Sequence, residues 1–267
     1  MIKLFATDLD GTLLKHGDNE TIYILDEDKQ AIQTVKDHGV EFGIATGRSE
    51  KDIVEILKTI NQTGHRISQN GAFVYDIGDR LIHEEIFSKQ LSKEIYEKVA
   101  QETDYHFVTT ADEIHVTAKS HATERLERLS YFKVTETPNL RDTFGETVFA
   151  SKFSMHGETE DLLQIKQRLD QQFNDNIESY LSDRHCVDIQ PKGVSKALGL
   201  KYLMETLQLK PEEIAVIGDS YNDVSMFELT PHSYAIDTAD PEVQQQANKV
   251  VKHVHNAVAD LKERGLI

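Results

Sequence analysis

Cysteine is all but missing from this chain. Cys186 stands alone among 267 residues, so no internal disulfide can form. A reducing compartment suits such a chain, and a cytoplasmic location is expected. Long hydrophobic runs are missing too: no near-continuous apolar stretch reaches the roughly 18 residues that a membrane span needs. The start, Met1-Ile2-Lys3 and a short apolar run ending at Asp8, has neither the apolar length nor the small-residue cleavage site of a secretory signal. Positive charge is scarce. Lys and Arg number 29 against 46 Asp and Glu, a formal net charge of −17 with a pI near 5.1. This argues against non-specific binding to nucleic acid or to an anionic membrane surface, and its plain reading is solubility. An anionic small molecule stays open as a substrate, because a local metal ion and a lysine override a remote field. There is no H-E-x-x-H and no paired C-x-x-C. The 12 histidines, among them His115, His121, His156, His185 and His253-Val254-His255, are scattered, so no zinc site is expected. Cys186 reads as a small buried apolar filler. Neither an internal repeat nor a low-complexity linker is present.

What is there suits a globular protein: 39% hydrophobic and 28% charged residues over a length that implies one large or two medium domains. Residues 2–9 read as a short buried strand. Asp26–His38 shows helical spacing at Ile32 and Val35, with Gly39 at its C-terminal cap. Val40–Ala45 is the next strand, and Ser49 with Asp52 opens a helix through Ile53, Ile56, Leu57 and Ile60. Strand, helix, strand, helix is the signature of a parallel sheet with helices on its faces. After Asn70-Gly71, a turn where the chain leaves this layer, Phe73–Tyr75 and Leu81-Ile82 read as a hairpin. From about 83 to 187, helices such as Ser92–Glu102 and Thr159–Phe173 alternate with short strands such as Glu113–Ala118 and Ser151–His156, the pattern of an inserted α+β domain. The first rhythm then resumes. Val194–Leu207 is an amphipathic helix, Ile214–Gly218 a buried strand and Asp223–Leu229 a short helix. Ser233–Ile236 is a further strand, followed by helices at Pro241–Ala247 and Asn256–Arg264. The fold class expected is α/β: a Rossmann-like parallel-sheet core (1–82 and 188–267) with helices on both faces, and an inserted α+β cap (83–187).

Acids and small polar groups gather at the C-terminal ends of three core strands. They are Asp8 and Asp10, then Thr46-Gly47-Arg48, then Gly218-Asp219-Ser220 with Asn222 and Asp223. Open α/β sheets bind ligands at those ends, so the clusters are expected to meet. Lys196 lies in the first turn of the helix before the last of these strands. A cation is unfavourable there, which hints at a nearby anion. Lys192 is its competitor. Converging carboxylates repel, and a hard divalent cation relieves them. Mg²⁺ takes one or two carboxylates plus phosphate oxygens and waters, with Asp8 and Asp219 the natural direct ligands. A charge pair at 4 Å is worth about 4 kcal/mol at an effective dielectric near 20, enough for a cation and a lysine to hold a phosphate dianion beside a carboxylate. Two acids also allow a division of labour. One stays ionised and attacks phosphorus; the other protonates the leaving alcohol and later deprotonates water. The Gly after the second acid lets the loop turn tightly and present N–H groups to phosphate. The Thr46 hydroxyl and Gly47 N–H, near a helix start, suit a second phosphate clamp. Arg48 is open between a substrate contact and a solvated helix-start residue. Asp223 is open between a role at the site and a helix cap.

The set "DLDGT" (8–12), "ATGRS" (45–49), "PKGVSKALGL" (191–200) and "GDSYND" (218–223) resembles the haloacid-dehalogenase-like phosphatase superfamily. "ISQNGAFV" (67–74), with some 100 residues between the second and third motifs, is similar to its Cof-type branch with a type IIB cap. The resemblance covers essentially the whole chain. It implies Asp8 as nucleophile and Mg²⁺ ligand, and Asp10 as general acid/base whose main-chain carbonyl also binds Mg²⁺. It implies Leu9, Thr46, Gly47, Lys196 and Asn222 around the phosphoryl group, Asp219 as the third protein ligand, and Asp223 supporting the metal site from behind. Dehalogenating members lack the second Asp, so Asp10 disfavours that chemistry. The activity implied is a Mg²⁺-dependent phosphatase acting on a small phosphorylated metabolite (sugar phosphate, flavin or pyridoxal phosphate class) through an aspartyl-phosphate. Alternatives are a phosphomutase of the same superfamily and a non-catalytic metabolite-binding protein. The cap is expected to close over the crevice and set specificity; His115, Lys119 and Arg184 are its candidates for facing substrate. A monomer or weak homodimer is expected, without nucleic-acid or membrane partners.

Overall fold

The structure, a computed structural model, describes residues 1–17, 21–121, 123, 124, 127 and 133–267. The chain divides into two compact units. One comprises 1–48, 56–83 and 195–267, the other 49–55 and 84–194.

The first unit is built on β1 (Leu4–Thr7), whose four residues are all buried. A two-stranded ribbon follows, β2 (Lys15–His16) and β3 (Ile22–Tyr23). Then come β4 (Glu41–Ala45), β5 (His65–Ser68), β6 (Phe73–Tyr75) and β7 (Leu81–Glu84). The second unit contributes β8 (His106–Thr109), β9 (Glu113–Val116), β10 (Lys133–Glu136), β11 (Lys152–His156), β12 (Ile177–Asp183) and β13 (Cys186–Pro191). The chain returns to the first unit through β14 (Ile214–Gly218), β15 (Ser233–Ile236) and β16 (Lys249–Val251).

The larger sheet has eight strands in the order β16-β15-β14-β1-β4-β5-β6-β7. Its six strands from β16 to β5 run parallel, and β6 pairs antiparallel with β5. Near-continuous apolar runs such as Ile214-Ala215-Val216-Ile217 suit strands covered on both faces, and helices lie on both. β1 sits between β4, which follows it, and β14, which arrives from the far end of the sequence. That is where strand order reverses, and so where a crevice opens at the strand ends. The helix Lys196–Leu207 begins at Ser195, whose hydroxyl accepts from Leu198 N–H at 3.1 Å. It packs Leu200, Leu203 and Met204 into a cluster with Leu4, Ile67, Val74 and Val216.

The second unit carries a six-stranded sheet in the order β10-β9-β8-β11-β13-β12, antiparallel except for the β9/β10 pair. Alternation divides its faces. Val108, Phe153, Met155, Val187 and Ile189 form a core with Ile95 and Val99 of helix Lys89–Glu102, and with Leu162, Ile165, Leu169 and Phe173 of helix Thr159–Phe173. Lys152, Ser154 and Asp188 turn the other way. Asp188 accepts from Ser154 Oγ at 2.6 Å and from Lys152 Nζ at 3.0 Å.

Expected and observed elements differ mostly at their ends. Thr117 and Ala118 fall outside β9, and the helix expected over Pro241–Ala247 stops at Gln244. The last helix starts at Val254, with His253 as its cap, rather than at Asn256. Strands β5, β12 and β16 lack a clear apolar alternation, and the sequence does not announce them.

Where the helix Lys196–Leu207 crosses the segment after β5, backbone meets backbone. Gly71 has φ +100°, and a Cβ there would lie 2.1 Å from the Ser195 carbonyl oxygen. Gly71→Ala is therefore expected to destabilise by about 3 kcal/mol or more, since neither atom is a movable side-chain end. Gly39→Ala, at φ +75° with nothing within 4 Å, is expected to cost only about 1 kcal/mol. Thermal unfolding of the two variants measures the difference.

Candidate active site

Three strand ends deliver the acids and their partners. β1 hands over to Asp8, whose N–H donates to the Ile217 carbonyl at 2.9 Å, so the first acid is registered directly on β14. β14 ends at Gly218, and the next turn brings Asp219. The helix Tyr221–Phe227 starts there because Ser220 and Asp223 form a reciprocal cap. Asp223 Oδ2 accepts from the N–H groups of Asp219 and Ser220, both at 2.9 Å. Asp223 therefore does what a capping acid does, and its other oxygen does something more.

Lys196 is that second partner. Its ammonium is 1% exposed, donating to Asp8 Oδ1 at 2.6 Å and to Asp223 Oδ1 at 2.7 Å. Burial works against the Lys196 charge, but Asp223 and Asp8 outweigh it and leave its pKa above the usual lysine value. Its competitor Lys192 is half-exposed and pairs with Glu178 at 3.1 Å in the second unit.

Asp8, Asp219 and Asp223 each offer an oxygen atom within 4.8 Å of the others, and no other such group of ligating side chains occurs among the described residues. One buried ammonium faces these three carboxylates. Burial, set against Lys196 and reinforced by Asp223 and Asp219, pushes Asp8 well above the usual carboxylate range. Asp219 is raised to about 6, by burial first and then by Asp223. Thr12 Oγ1 donates to Asp219 Oδ1 at 2.6 Å and partly offsets this. The excess negative charge on hard oxygen donors fits a divalent cation. Gly11 is required at the same place. Its φ is +80°, and a Cβ would lie 2.2 Å from Asp219 Oδ2.

Asp10 is the most exposed of these acids, and it is not left to solvent. Arg48 Nε and Nη2 reach its two carboxylate oxygens at 2.6 and 2.7 Å, a two-pronged ion pair across 38 positions of sequence. Arg48 is thus not a solvated helix-start residue but the partner of Asp10. Thr46 is buried. Its N–H donates to the Ile67 carbonyl at 2.9 Å, and its Oγ1 accepts from Arg48 N–H at 3.2 Å. Gly47 lies beside the carboxamide of Asn70, which is itself held at 3.1 Å by Asn222 Nδ2. Leu9 is buried, and its carbonyl accepts from Thr12 and Leu14 N–H at 3.2 and 2.7 Å, closing the loop after β1.

All these residues except Lys192 and its partner belong to the first unit, and they form a connected set. Three members were not given a role by the sequence: Thr12, Asn70 and the Arg48 partnership with Asp10. Each lies inside a motif already singled out, so position was the available signal, and only folding reveals the partner. The cap candidates have structural partners of their own. His115 Nδ1 meets Thr137 Oγ1 at 3.1 Å and Lys119 pairs with Glu127 at 2.9 Å, while of Arg184 the main-chain oxygen accepts from Thr159. Among the other histidines, His255 pairs with the buried Asp28 at 2.8 Å. Cys186 is buried, with Sγ 3.5 Å from His156 Nε2.

The model of the haloacid dehalogenase-like hydrolase family matches residues 5–261. The chain belongs to that family. It is 27% identical over 94% of its length to the 5-amino-6-(5-phospho-D-ribitylamino)uracil phosphatase YwtE of Bacillus subtilis, covering 93% of that protein. It is 25% identical to an HMP-PP phosphatase of Yersinia pseudotuberculosis, over 92% of this chain and 88% of that one. Among solved structures it is similar to BT1666 from Bacteroides thetaiotaomicron, a phosphatase of the same superfamily, with a TM-score of 0.80, 25% identity and coverage of 100% and 96%. Family and relatives together make this chain a Cof-type phosphatase enzyme. No helix among the described residues is long and apolar enough to cross a membrane.

The raised Asp219 carboxyl has a consequence for stability. Its folded pKa, about 6, exceeds its unfolded value of 3.8. The stability it contributes is fully present below about pH 4 and is lost as pH rises through about 6. In metal-free buffer at pH 7.5, Asp219→Asn is therefore expected to be more stable than the native chain, by about 3 kcal/mol. The gap closes toward pH 4. Thermal unfolding of both proteins across that range tests the sign.

Proposed function

We propose that this chain is a Mg²⁺-dependent phosphatase that hydrolyses a small phosphorylated metabolite in two steps through an aspartyl-phosphate on Asp8. The observation that carries the reading is the buried Lys196 holding Asp8 Oδ1 at 2.6 Å beside Asp219. A lysine so placed keeps a nucleophilic carboxylate oriented while it also attracts a phosphoryl dianion. In this reading Asp8, Asp219 and the Asp10 main-chain carbonyl hold the ion, with Asp223 behind them. Once bound, Mg²⁺ neutralises the carboxylates and phosphoryl oxygens that would otherwise repel.

An Asp8 carboxylate oxygen attacks phosphorus, and the bond from phosphorus to the leaving oxygen breaks. Asp10 gives that oxygen its proton. Water then attacks the phosphorus of the aspartyl-phosphate while Asp10 takes the water's proton, which restores Asp8 and releases phosphate. Arg48 fixes the position of Asp10 by occupying both its oxygens. One of those bonds must give way, and that oxygen take a proton from solvent, before Asp10 acts as an acid. Leu9, Thr46, Gly47 and Asn222 supply donors to the phosphoryl oxygens, and Lys196 supplies charge. We assign the choice of leaving group to residues 83–187. The relatives named for 5-amino-6-(5-phospho-D-ribitylamino)uracil and for HMP-PP support a small phosphorylated metabolite as the substrate class.

The test is phosphate release from a panel of sugar phosphates, flavin mononucleotide, pyridoxal phosphate and 5-amino-6-(5-phospho-D-ribitylamino)uracil, with Mg²⁺ or EDTA. Release from a subset, only with Mg²⁺, is expected. Asp8→Asn should abolish it, and Asp10→Asn should lower kcat by about 10²–10⁴-fold. Equal activity of the Asp8→Asn protein would overturn the covalent mechanism. Transfer to a sugar in place of release would favour a mutase.

A further inference from the structure

We infer that Asn70 is a positioning residue of this phosphoryl site, one that orients the Asn222 carboxamide and ties it to the Thr46–Arg48 loop. The inference rests on the reading of the site as a phosphatase. Asn70 lies in the "SQNGA" stretch, which by sequence alone is only a turn.

The backbone shows that more than a turn is built there. Gln69, Asn70 and Gly71 have φ of +47°, +56° and +100°, three successive residues in the left-handed region. Gln69 is wholly buried and Asn70 is 1% exposed. Glutamine rarely adopts that conformation, and a buried run of it persists only when its surroundings impose it. Two backbone bonds impose it. Gln69 N–H donates to the Arg48 carbonyl and Asn70 N–H to the Thr46 carbonyl, both at 2.8 Å. The loop after β5 is thereby stitched to the loop after β4, the one that carries Thr46, Gly47 and Arg48.

The twist aims the Asn70 side chain across the site. Its Oδ1 accepts from Asn222 Nδ2 at 3.1 Å and lies 3.2 Å from where a Cβ on Gly47 would stand. Asn222 Oδ1, in contrast, is buried without a hydrogen-bond partner. The amide of Asn222 is therefore oriented by Asn70 and not by its own satisfaction. That orientation suits phosphate. A phosphoryl oxygen accepts only, so Asn222 must present N–H and not C=O. A carboxamide has two N–H donors; Asn70 engages one and leaves a second of the right sign. An acceptor at position 70 selects the productive face of Asn222, and the left-handed backbone is what places the acceptor there.

A double-mutant cycle separates this role from a purely structural one. Asn70→Gly removes the carboxamide and keeps a residue at ease with positive φ. Asn70→Asp keeps an acceptor oxygen and also tolerates that backbone. Each is combined with Asn222→Ala. Two readouts are taken: kcat/KM for phosphate release, and Kd for inorganic phosphate by calorimetry with Mg²⁺. Asn222→Ala is expected to cost about 10-fold in both readouts in the native and Asn70→Asp backgrounds. In the Asn70→Gly background it should cost almost nothing, because that protein has already lost the orientation. An equal cost of Asn222→Ala in all three backgrounds would overturn the inference. If Asn70→Gly does not fold, the Asn70→Asp background decides alone: a cost that disappears there, where the acceptor remains, counts against it. A native protein that binds phosphate but releases none defeats the phosphatase reading, and the cycle is then read in Kd alone. One that neither binds nor releases phosphate defeats both.

Discussion

Everything at this site hangs on one buried ammonium. Lys196 touches Asp8 and Asp223 together, and so joins the end of β1, the start of its own helix far along the chain and the first turn of the helix after β14. A lysine with this exposure is stable only if its charge is matched, and two carboxylates match it. The reverse also holds. Asp8 and Asp223 are buried acids whose charge would be costly without Lys196. The three side chains are mutually obligatory, and Asp219 enters as a fourth member, leaving three carboxylates around one ammonium. Burial first, and then that imbalance, raises Asp8 and Asp219, and the imbalance makes a divalent cation the natural complement of the protein as folded.

Around this charge the backbone is arranged by close approach. Gly11 lets the loop after β1 lie against the Asp219 carboxylate. Gly71 lets the segment after β5 lie against the start of the Lys196 helix. Asn70 and Gln69 then bind the loop that follows β4. The same few atoms of backbone therefore set the height of Lys196, the place of Thr46 and Gly47, and the direction of Asn222. Acids brought together by topology become a site only when such contacts fix their separations to within a few tenths of an ångström.

Much of this was legible in the sequence, for a physical reason. Strand-end acids followed by glycine or a helix cap leave local signals: Asp8 and Asp10 after an apolar run, Asp219 and Asp223 around Ser220. Parallel-sheet topology then dictates that those ends converge. Pairings between distant side chains leave no such signal. Nothing near Arg48 announces that its guanidinium closes on Asp10, and nothing near Asn70 announces Asn222. β5 was hidden for a similar reason. His65 and Arg66 look like surface residues, yet both are buried, His65 against Glu41 and Arg66 against Asp79. The helix after β14 begins two residues before the Asp223 that its sequence suggests. Asp223 is the cap partner at the third helical position, while Ser220 is the residue that opens the helix.

A net charge of −17 suggests a protein hostile to anions. The geometry argues otherwise. At an ionic strength of 0.15 M a surface charge is screened beyond about 8 Å, so most of the acidic surface has little influence on a buried crevice. On the proposed reading, what an incoming phosphoryl group would meet is local: one ammonium at 1% exposure, backbone N–H groups, a carboxamide and a divalent ion. Arg48 adds a further positive group at the rim, though in this state its charge is committed to Asp10. A phosphoryl dianion arriving there would compete with Asp10 for that guanidinium. On the proposed reading that competition would run in the useful direction, because loosening Arg48 from one carboxylate oxygen would free Asp10 to take up a proton and carry it to the leaving group.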